Sequence, residues 1–408
     1  MNAQPSLPAP IMSERRVGII GAMLVAIGPT SMALYTPAMP EIVHAFGTTE
    51  AMVKMSLTLY FAGFAFAQLI CGPLSDGLGR RPVTVAFMGI YTIASIAAVF
   101  APDIHTLIAA RFVQGVGAAV GVAISRAIVR DLFASEQSAR IMNLIGIILV
   151  IAPATAPTIG GLTMELAGWH AIFIVMAAAG IGIALLAIFS LKETVTRDLG
   201  RIRPKALIKS YKTLVRSTYF MSSSLMIAGT AGALYAMATM LPFVLIERVG
   251  LTPSQFGFGM LLQSGGYLTG SLLVRQLMKR YSAYRIVPIG LISVAIGGLA
   301  FAVLLRLFEP TFLNVMIPAG FYAFGIAFVM PAISTAALAP FPHMAGAASS
   351  MLGFLQMGAG LVGGLIAAAM GAPVIALATI IPGMAILAVL SWFVWRRLPE
   401  PTILVLNR

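Results

Sequence analysis

Gly72-Pro73-Leu74-Ser75-Asp76-Gly77-Leu78-Gly79-Arg80-Arg81-Pro82 is a short polar stretch, rich in glycine and doubly basic. It follows two long apolar runs and leads at once into a third. A connection this short between two membrane spans lies at one surface. Its arginines assign it to the cytoplasmic one, because cytoplasmic loops carry the excess of Lys and Arg. Glycines at 72, 77 and 79 allow a tight turn and close approach of helices. Asp76 can cap a helix start or pair with an arginine. An isolated Gly-Arg-Arg would be an ordinary positive-inside turn; the full spacing carries more information than that.

Working outward, the rest of the chain reads as membrane protein. Hydrophobic residues make up 59% of the 408 and charged residues 10%, against about 25% charged in soluble chains. A spanning helix needs about 20 mainly apolar residues. Twelve such runs are found, near residues 17–36, 51–71, 83–101, 106–128, 139–162, 170–190, 217–241, 254–277, 286–306, 312–336, 345–369 and 373–395. None alternates as a barrel strand does. The expected fold is therefore an all-α integral membrane protein with twelve transmembrane helices. The net charge of +13 resides in short loops between the runs, which suits membrane lipids as partners and not nucleic acid.

Cys71 is the only cysteine, so no intramolecular disulfide and no thiol metal site is expected. No cofactor motif is present either. Residues 1–16 are polar and proline-rich and end in Arg15 and Arg16, with no small-residue cleavage pattern after a short apolar region, so the first run reads as a retained span. An even number of spans puts both termini on one side. That side carries Arg80, Arg81, Arg130, Arg140, Lys279, Arg280, Arg396, Arg397 and the basic stretch 192–216, whereas the other carries only Lys54, Arg248 and Arg306. Both termini are thus expected in the cytoplasm. Stretch 192–216 divides the chain into an N-terminal half, 1–191, and a C-terminal half, 217–408, and its charge suits an anionic lipid surface. The halves echo each other in the small-residue faces of Arg140–Gly161 and Gly346–Gly364. Six-helix halves related as repeats, with a site between them, are a known plan for secondary transporters.

Three constellations stand out. Asp131, in Arg126-Ala127-Ile128-Val129-Arg130-Asp131, falls at the same face as Arg80 and Arg81 and can form a charge-assisted pair there. Static surface pairing is the plainer account, worth about 1 kcal/mol or less. Arg111 sits inside the fourth span, in Arg111-Phe112-Val113-Gln114-Gly115. An arginine within a span is costly and points to function, with snorkelling to the surface as the alternative. The fifth span ends Pro153-Ala154-Thr155-Ala156-Pro157-Thr158-Ile159-Gly160-Gly161, with Gly146 upstream; small residues allow close packing and prolines bend helices.

These motifs together resemble the major facilitator superfamily. Gly72–Pro82 is similar to the loop between that class's second and third helices. The resemblance implies a conformational latch built from Gly72, Asp76, Gly79, Arg80, Arg81, Arg130 and Asp131. It implies a role in proton coupling for Arg111, with Gln114 and Arg126. The fifth-span pattern, with Gly146, Pro153, Pro157, Gly160 and Gly161, resembles the motif that marks exporters. Tyr35–Pro40, Arg126–Asp131, Pro242–Glu247 and Ala347–Met357 add a resemblance to the Bcr/CflA drug-resistance exporters, running from about residue 17 to 395. That group implies antiport of a drug-like molecule against protons in the bacterial inner membrane.

One position departs from the pattern. Members commonly carry an aspartate two residues before the tyrosine of the first-span motif, where this chain has Ala33. All thirteen acids fall in loops or near span ends, although a membrane carboxylate is the usual proton carrier. His44 and His343 titrate in the right range but read as loop or span-end residues. A neutral or anionic substrate is therefore expected, for example a phenicol-like compound, with proton antiport or, alternatively, an uncoupled metabolite facilitator or importer. Candidate cavity residues are Ala33, Tyr35, Tyr60, Phe64, Gln68, Tyr235, Met237, Gln263, Tyr322, Phe324, Gln356 and Met357. Aromatics and Met would give an adaptable wall and amides would orient the ligand. A monomer is expected. A membrane enzyme or receptor would need a catalytic constellation, a nucleotide motif or a large extramembrane domain, and the sequence offers none.

Overall fold

The computed structural model describes residues 11–133, 135–202 and 204–399. The chain ends and Arg203 of the linker, which the sequence assigns to the cytoplasmic face, lie outside the described residues. Helix α1 is Glu14–Tyr35, and it runs on through a tight turn at Thr36–Ala38 into Met39–Ala45. Helix α2 is Glu50–Leu78 and α3 is Arg80–Val99. Helix α4, Ile104–Leu132, changes from Ile104–Ala118 to Val120–Leu132 at Ala119. Helices α5 (135–167) and α6 (169–190) are parted by Gly168, whose φ of 75° no other residue adopts cheaply. The C-terminal half supplies α7 (Thr218–Pro242), α8 (Pro253–Leu277), α9 (Ala283–Leu307), α10 (Phe312–Leu338), α11 (Ala345–Met370) and α12 (Pro373–Trp395).

Among the described residues, ten stretches are long and apolar enough to cross a membrane. One of them, Arg140–Ser190, is divided at Gly168, and the 25-residue α8 is also of spanning length. Counted in this way, twelve helices of spanning length lie among the described residues, which is consistent with the twelve expected from the sequence. Local chemistry sets their ends. Oxygens of Ser13, Thr49, Asp103, Thr252 and Thr311 accept from backbone N–H groups in the first turns of α1, α2, α4, α8 and α10. Each satisfies a donor that the helix leaves unpaired.

Besides a small cluster of Val274, Ile286 and Phe328, buried apolar side chains of the described residues fall into two large clusters. One is built mainly from α1–α6, and the other from α7–α12. Two seams join them, α2 against α11 and α5 against α8. Between α6 and α7 lies an amphipathic helix, Pro204–Arg216, that exposes Lys205, Lys209, Lys212 and Arg216 and buries Leu214. Its Tyr211 hydroxyl donates to the Leu69 carbonyl at 2.5 Å, and burial pushes that phenol up to about 12.

The stretch 72–82 is less of a loop than its glycines suggest. Gly72 and Gly77 continue α2, and Gly79 alone breaks the helical path, with φ 106° and ψ 150°. Helical hydrogen bonding carries α2 past Pro73, so the turn is a single residue.

Candidate functional site

A cavity of about 270 Å³ lies where the two halves meet. It is lined by Pro29, Met32, Ala33 and Thr36 around the end of α1, Phe64 and Gln68 of α2, Arg126 of α4, and Pro153 and Pro157 of α5. The second half contributes Tyr235 of α7, Met260, Gln263, Ser264 and Tyr267 of α8, Met330 of α10, and Gln356 and Met357 of α11, among others. Gln356 Nε2 donates to the Tyr235 hydroxyl at 3.3 Å. Among the described residues of the lining, Arg126 is the one with a charge, and none carries a carboxylate.

Ala33, Phe64, Gln68, Tyr235, Gln263, Gln356 and Met357 therefore line the cavity, and Tyr35, Tyr60, Met237, Tyr322 and Phe324 do not. Each of the latter has a packing partner instead. The Tyr322 hydroxyl donates to the Gly229 carbonyl at 2.6 Å, and Phe324 packs on Phe328 with centroids 5.1 Å apart. Met237 is fully buried, its sulfur 3.4 Å from Gln263 Nε2. Met32, Thr36, Met260, Ser264, Tyr267 and Met330 line the cavity without having been singled out from the sequence.

Tyr35 and Tyr60 enclose Arg111. Its guanidinium lies 4.4 Å from the Tyr35 ring centroid, 4.3 Å from that of Tyr60 and 6.0 Å from that of Phe173. The residue is fully buried, which excludes snorkelling in this arrangement. Arg111 Nη1 donates to Gln114 Oε1, and Gln114 Nε2 donates to Ser95 Oγ at 2.7 Å. Nε and Nη2 of Arg111 have no hydrogen-bond partner among the described residues. The tyrosines are themselves fixed, Tyr35 to Ser56 at 2.7 Å and Tyr60 to the Gly28 carbonyl at 2.8 Å. Burying an unpaired charge costs several kcal/mol. Two desolvated cation–π contacts of about 2 kcal/mol each offset much of it.

At the face bearing Gly79, Arg80 is buried and forms a knot. It pairs with Asp76 at 2.5 Å and with Asp131 at 3.0 Å, and donates to Ser75 Oγ at 2.6 Å. Asp76 thus pairs with an arginine and does not cap α3. The cap comes from Glu193, whose two oxygens accept from the backbone N–H groups of Arg80 (2.8 Å) and Arg81 (3.1 Å). A carboxylate suits the positive end of a helix. Arg81 reaches the Ile188 carbonyl at 2.6 Å rather than Asp131, and Arg130 is exposed. Glu193 is not among the site residues expected from the sequence; the one signal is an acid just past the sixth run, in a mostly basic stretch. The polar contacts of this knot join residues of the first half to one another and to Glu193 at the start of the linker. A direct tie to the second half at this end is Arg126 Nη1 to Ser349 Oγ of α11, 3.2 Å.

Gly79 supports a first prediction. Its backbone conformation is essentially restricted to glycine, at a cost of order 1–3 kcal/mol for other residues, and a Cβ would stand 2.6 Å from Glu193 Oε2. Gly79→Ala is expected to lower the thermal midpoint in detergent by several degrees. Gly72→Ala, whose Cβ would meet Ser350 Oγ at 3.7 Å, should leave it within about one degree. Equal midpoints for both variants would contradict the cap.

Charges also gather at the opposite face. Glu50 lies 3.0 Å from the fully buried Lys54 and 3.4 Å from Arg248, and Lys54 Nζ stands 4.8 Å over the Phe243 ring. Glu165 at the end of α5 accepts from the Ser254 N–H (3.0 Å) and hydroxyl (2.8 Å) at the start of α8. His44 is 3.5 Å from Glu247. Several of these contacts join the halves. Nearby, the α5–α8 seam closes backbone to backbone: Gly161 abuts the Pro253 carbonyl and Gly257 the Pro157 carbonyl. Gly160 abuts Leu34 of α1, whereas Gly146 has open space beside it. The exporter-type motif thus turns Pro153 and Pro157 to the cavity and its paired glycines to neighbouring helices.

Residues 21–364 match the family described as Major Facilitator Superfamily. An uncharacterized MFS-type transporter of Bacillus subtilis (strain 168), YdgK, is 30% identical, over 86% of this chain and 87% of that protein. Multidrug resistance protein D of Escherichia coli (strain K12) is 28% identical, over 91% of this chain and 93% of that one. Among solved structures, that of a D-xylose–proton symporter superposes with a TM-score of 0.72 at 12% identity, covering 95% of this chain and 98% of that one.

Proposed function

Because this chain belongs to the major facilitator superfamily, and is thus a multi-pass membrane transporter and not an enzyme, we propose that it exports small amphipathic drug-like compounds across the bacterial inner membrane. Neutral or anionic, phenicol-like compounds are preferred, the cycle is alternating access, and protons are the counter-substrate. The observation that carries this is the cavity between the halves: aromatic, Met and amide groups face it, with one arginine and no carboxylate among its described lining residues. Such a lining accommodates apolar bodies of varied shape and offers nothing to neutralise a cation. The similarity to a protein named for multidrug resistance supports export, as does the pair of α5 prolines facing the cavity. The basic residues at the Gly79 face support placing that face, and both termini, in the cytoplasm.

At the opposite face the halves are held together by the α5–α8 contact and the charge contacts around Glu50 and Glu165. Alternating access requires those contacts to open while the Gly79 face closes. Equilibrium between two such arrangements is moved only by ligands that bind them differently. The carboxylate-free cavity also favours a second function, an uncoupled facilitator. Proteoliposomes separate the two. Accumulation of a neutral phenicol against its gradient, driven by an imposed pH difference, is expected for the antiporter; flux that stops at equilibration is expected for the facilitator. Flux indistinguishable from empty liposomes would refute both.

Ala33→Asp gives a further test, since Ala33 lines the cavity. A carboxylate there neutralises a cation when ionised and releases it when protonated. Ala33→Asp is expected to extend transport to a permanent cation that the unmodified protein moves at least about tenfold more slowly, a difference of about 1.4 kcal/mol. Strong proton-driven transport of the cation by the unmodified protein would refute the stated preference and shift coupling to a peripheral acid such as Glu165 or Asp131.

A further inference from the structure

The transport reading leaves open what anchors a substrate in the cavity. We infer that Arg126 is the anchor, and that the cavity is a binding site for small organic anions, an apolar body bearing one carboxylate. Arg111, the arginine that sequence alone favours, is sealed between tyrosine rings and off the cavity wall. Arg126 lines the cavity with an exposed side chain. Among the described residues it has no carboxylate partner, and its Nη1 donates to Ser349 Oγ. A charged group held inside a membrane bundle without a counter-charge points to a ligand that supplies one. Guanidinium favours a carboxylate because two parallel N–H groups meet its two oxygens.

A second group in the same wall points the same way. Gln68 is 94% buried, lines the cavity, and its Oε1 has no hydrogen-bond partner among the described residues. A buried acceptor left unpaired is costly, and a hydroxyl or amide donor on the ligand satisfies it. Phe64 and Met357 supply apolar wall beside it. The inferred ligand therefore has an anionic end on Arg126, a donor near Gln68 and an apolar face. A carboxylate that engages Arg126 competes with Ser349. Occupancy then loosens a contact that ties α4 to α11, which links binding to the movement of the halves.

This inference rests on the transport reading, and the test separates the two. Purified full-length protein is titrated with three fluorescent probes of one scaffold: coumarin-3-carboxylate, its primary amide and a trimethylammonium analogue. The wild type is expected to bind the carboxylate at least about tenfold more tightly than the amide and to bind the cation weakest. Arg126→Gln should bring the carboxylate-to-amide ratio to about one, and Arg126→Lys should keep most of it. Ser349→Ala, which removes the cross-half contact but keeps the guanidinium, should retain the preference. A wild-type ratio near one, an unchanged ratio in Arg126→Gln, or the same loss in Ser349→Ala as in Arg126→Gln would each overturn the inference. If the amide is nevertheless carried in proteoliposomes, the transport reading stands without it. If no probe is bound or carried, both fall.

Discussion

Replacing Arg111 by Met abolishes transport while the protein still folds: this is the largest functional effect expected from a single side chain outside the cavity. The charge is fully buried, held by two tyrosine rings and one amide. Its removal relieves a desolvation cost of several kcal/mol. Against that, two cation–π contacts of about 2 kcal/mol each are lost, and Gln114 Oε1 is left unpaired at about 1–3 kcal/mol. These terms nearly cancel, so a side chain of similar volume should leave the thermal midpoint within a few degrees. Transport should nevertheless fall at least about a hundredfold, or 2.7 kcal/mol in the barrier. The guanidinium ties α4 to tyrosines of α1 and α2, and two of its nitrogens are free for a proton-linked rearrangement. Arg111→Lys should also fail, because a point charge cannot lie flat between two rings. Active Arg111→Met protein in inverted vesicles would show that the charge is a structural relic. A collapsed midpoint would show that the cage is chiefly a stability element.

The second large effect separates two glycines of one motif. Gly161 has its α-carbon against the Pro253 carbonyl, so any Cβ would strike backbone. Backbone cannot swing aside as a flexible side chain can, and overpacking of this kind costs about 1–3 kcal/mol or more. The strain is confined to the arrangement in which α5 and α8 are closed at this face. Gly161→Val should therefore shift the balance towards the arrangement open there, with transport reduced at least about tenfold. A cysteine introduced at Ser254, beside the seam, should react faster with an impermeant thiol reagent in the Gly161→Val background. Gly146→Val, where nothing lies within 4 Å of the added carbon, should transport at close to the unmodified rate. Similar losses in both variants would mean that the motif acts through general helix packing and not through this seam.

Comparison of the two arginines shows where legibility ends. Arg111 and Arg126 lie on one helix, and both stood out from sequence as charges in or near a span. Their opposite environments, one sealed among rings and one facing the cavity, follow from how α4 is rotated against α1, α2 and α11. The same holds for Ala33 and Tyr35, two residues apart on α1: the alanine lines the cavity and the tyrosine guards Arg111. Asp131 and Arg80 were legible as neighbours because both fall at helix ends on one face. Glu193 was not, because its partners are the backbone N–H groups of a helix that begins 113 residues earlier in the chain.

By itself, then, the sequence determined the membrane class, the all-helical fold, the polar connections and the superfamily. Each spanning segment must satisfy its own backbone hydrogen bonds inside the bilayer, so length and apolarity of a run suffice to announce a helix. Only the tertiary structure decided which face of each helix meets the cavity, which arginine is caged, and which motif glycines touch backbone. Between helices in a membrane there is little hydrophobic driving force to mark an inward face, and a run that is apolar all round carries no stripe to read. Rotation is set by small residues and polar contacts on partners distant in sequence, as Gly161 against Pro253 and Arg126 against Ser349 illustrate.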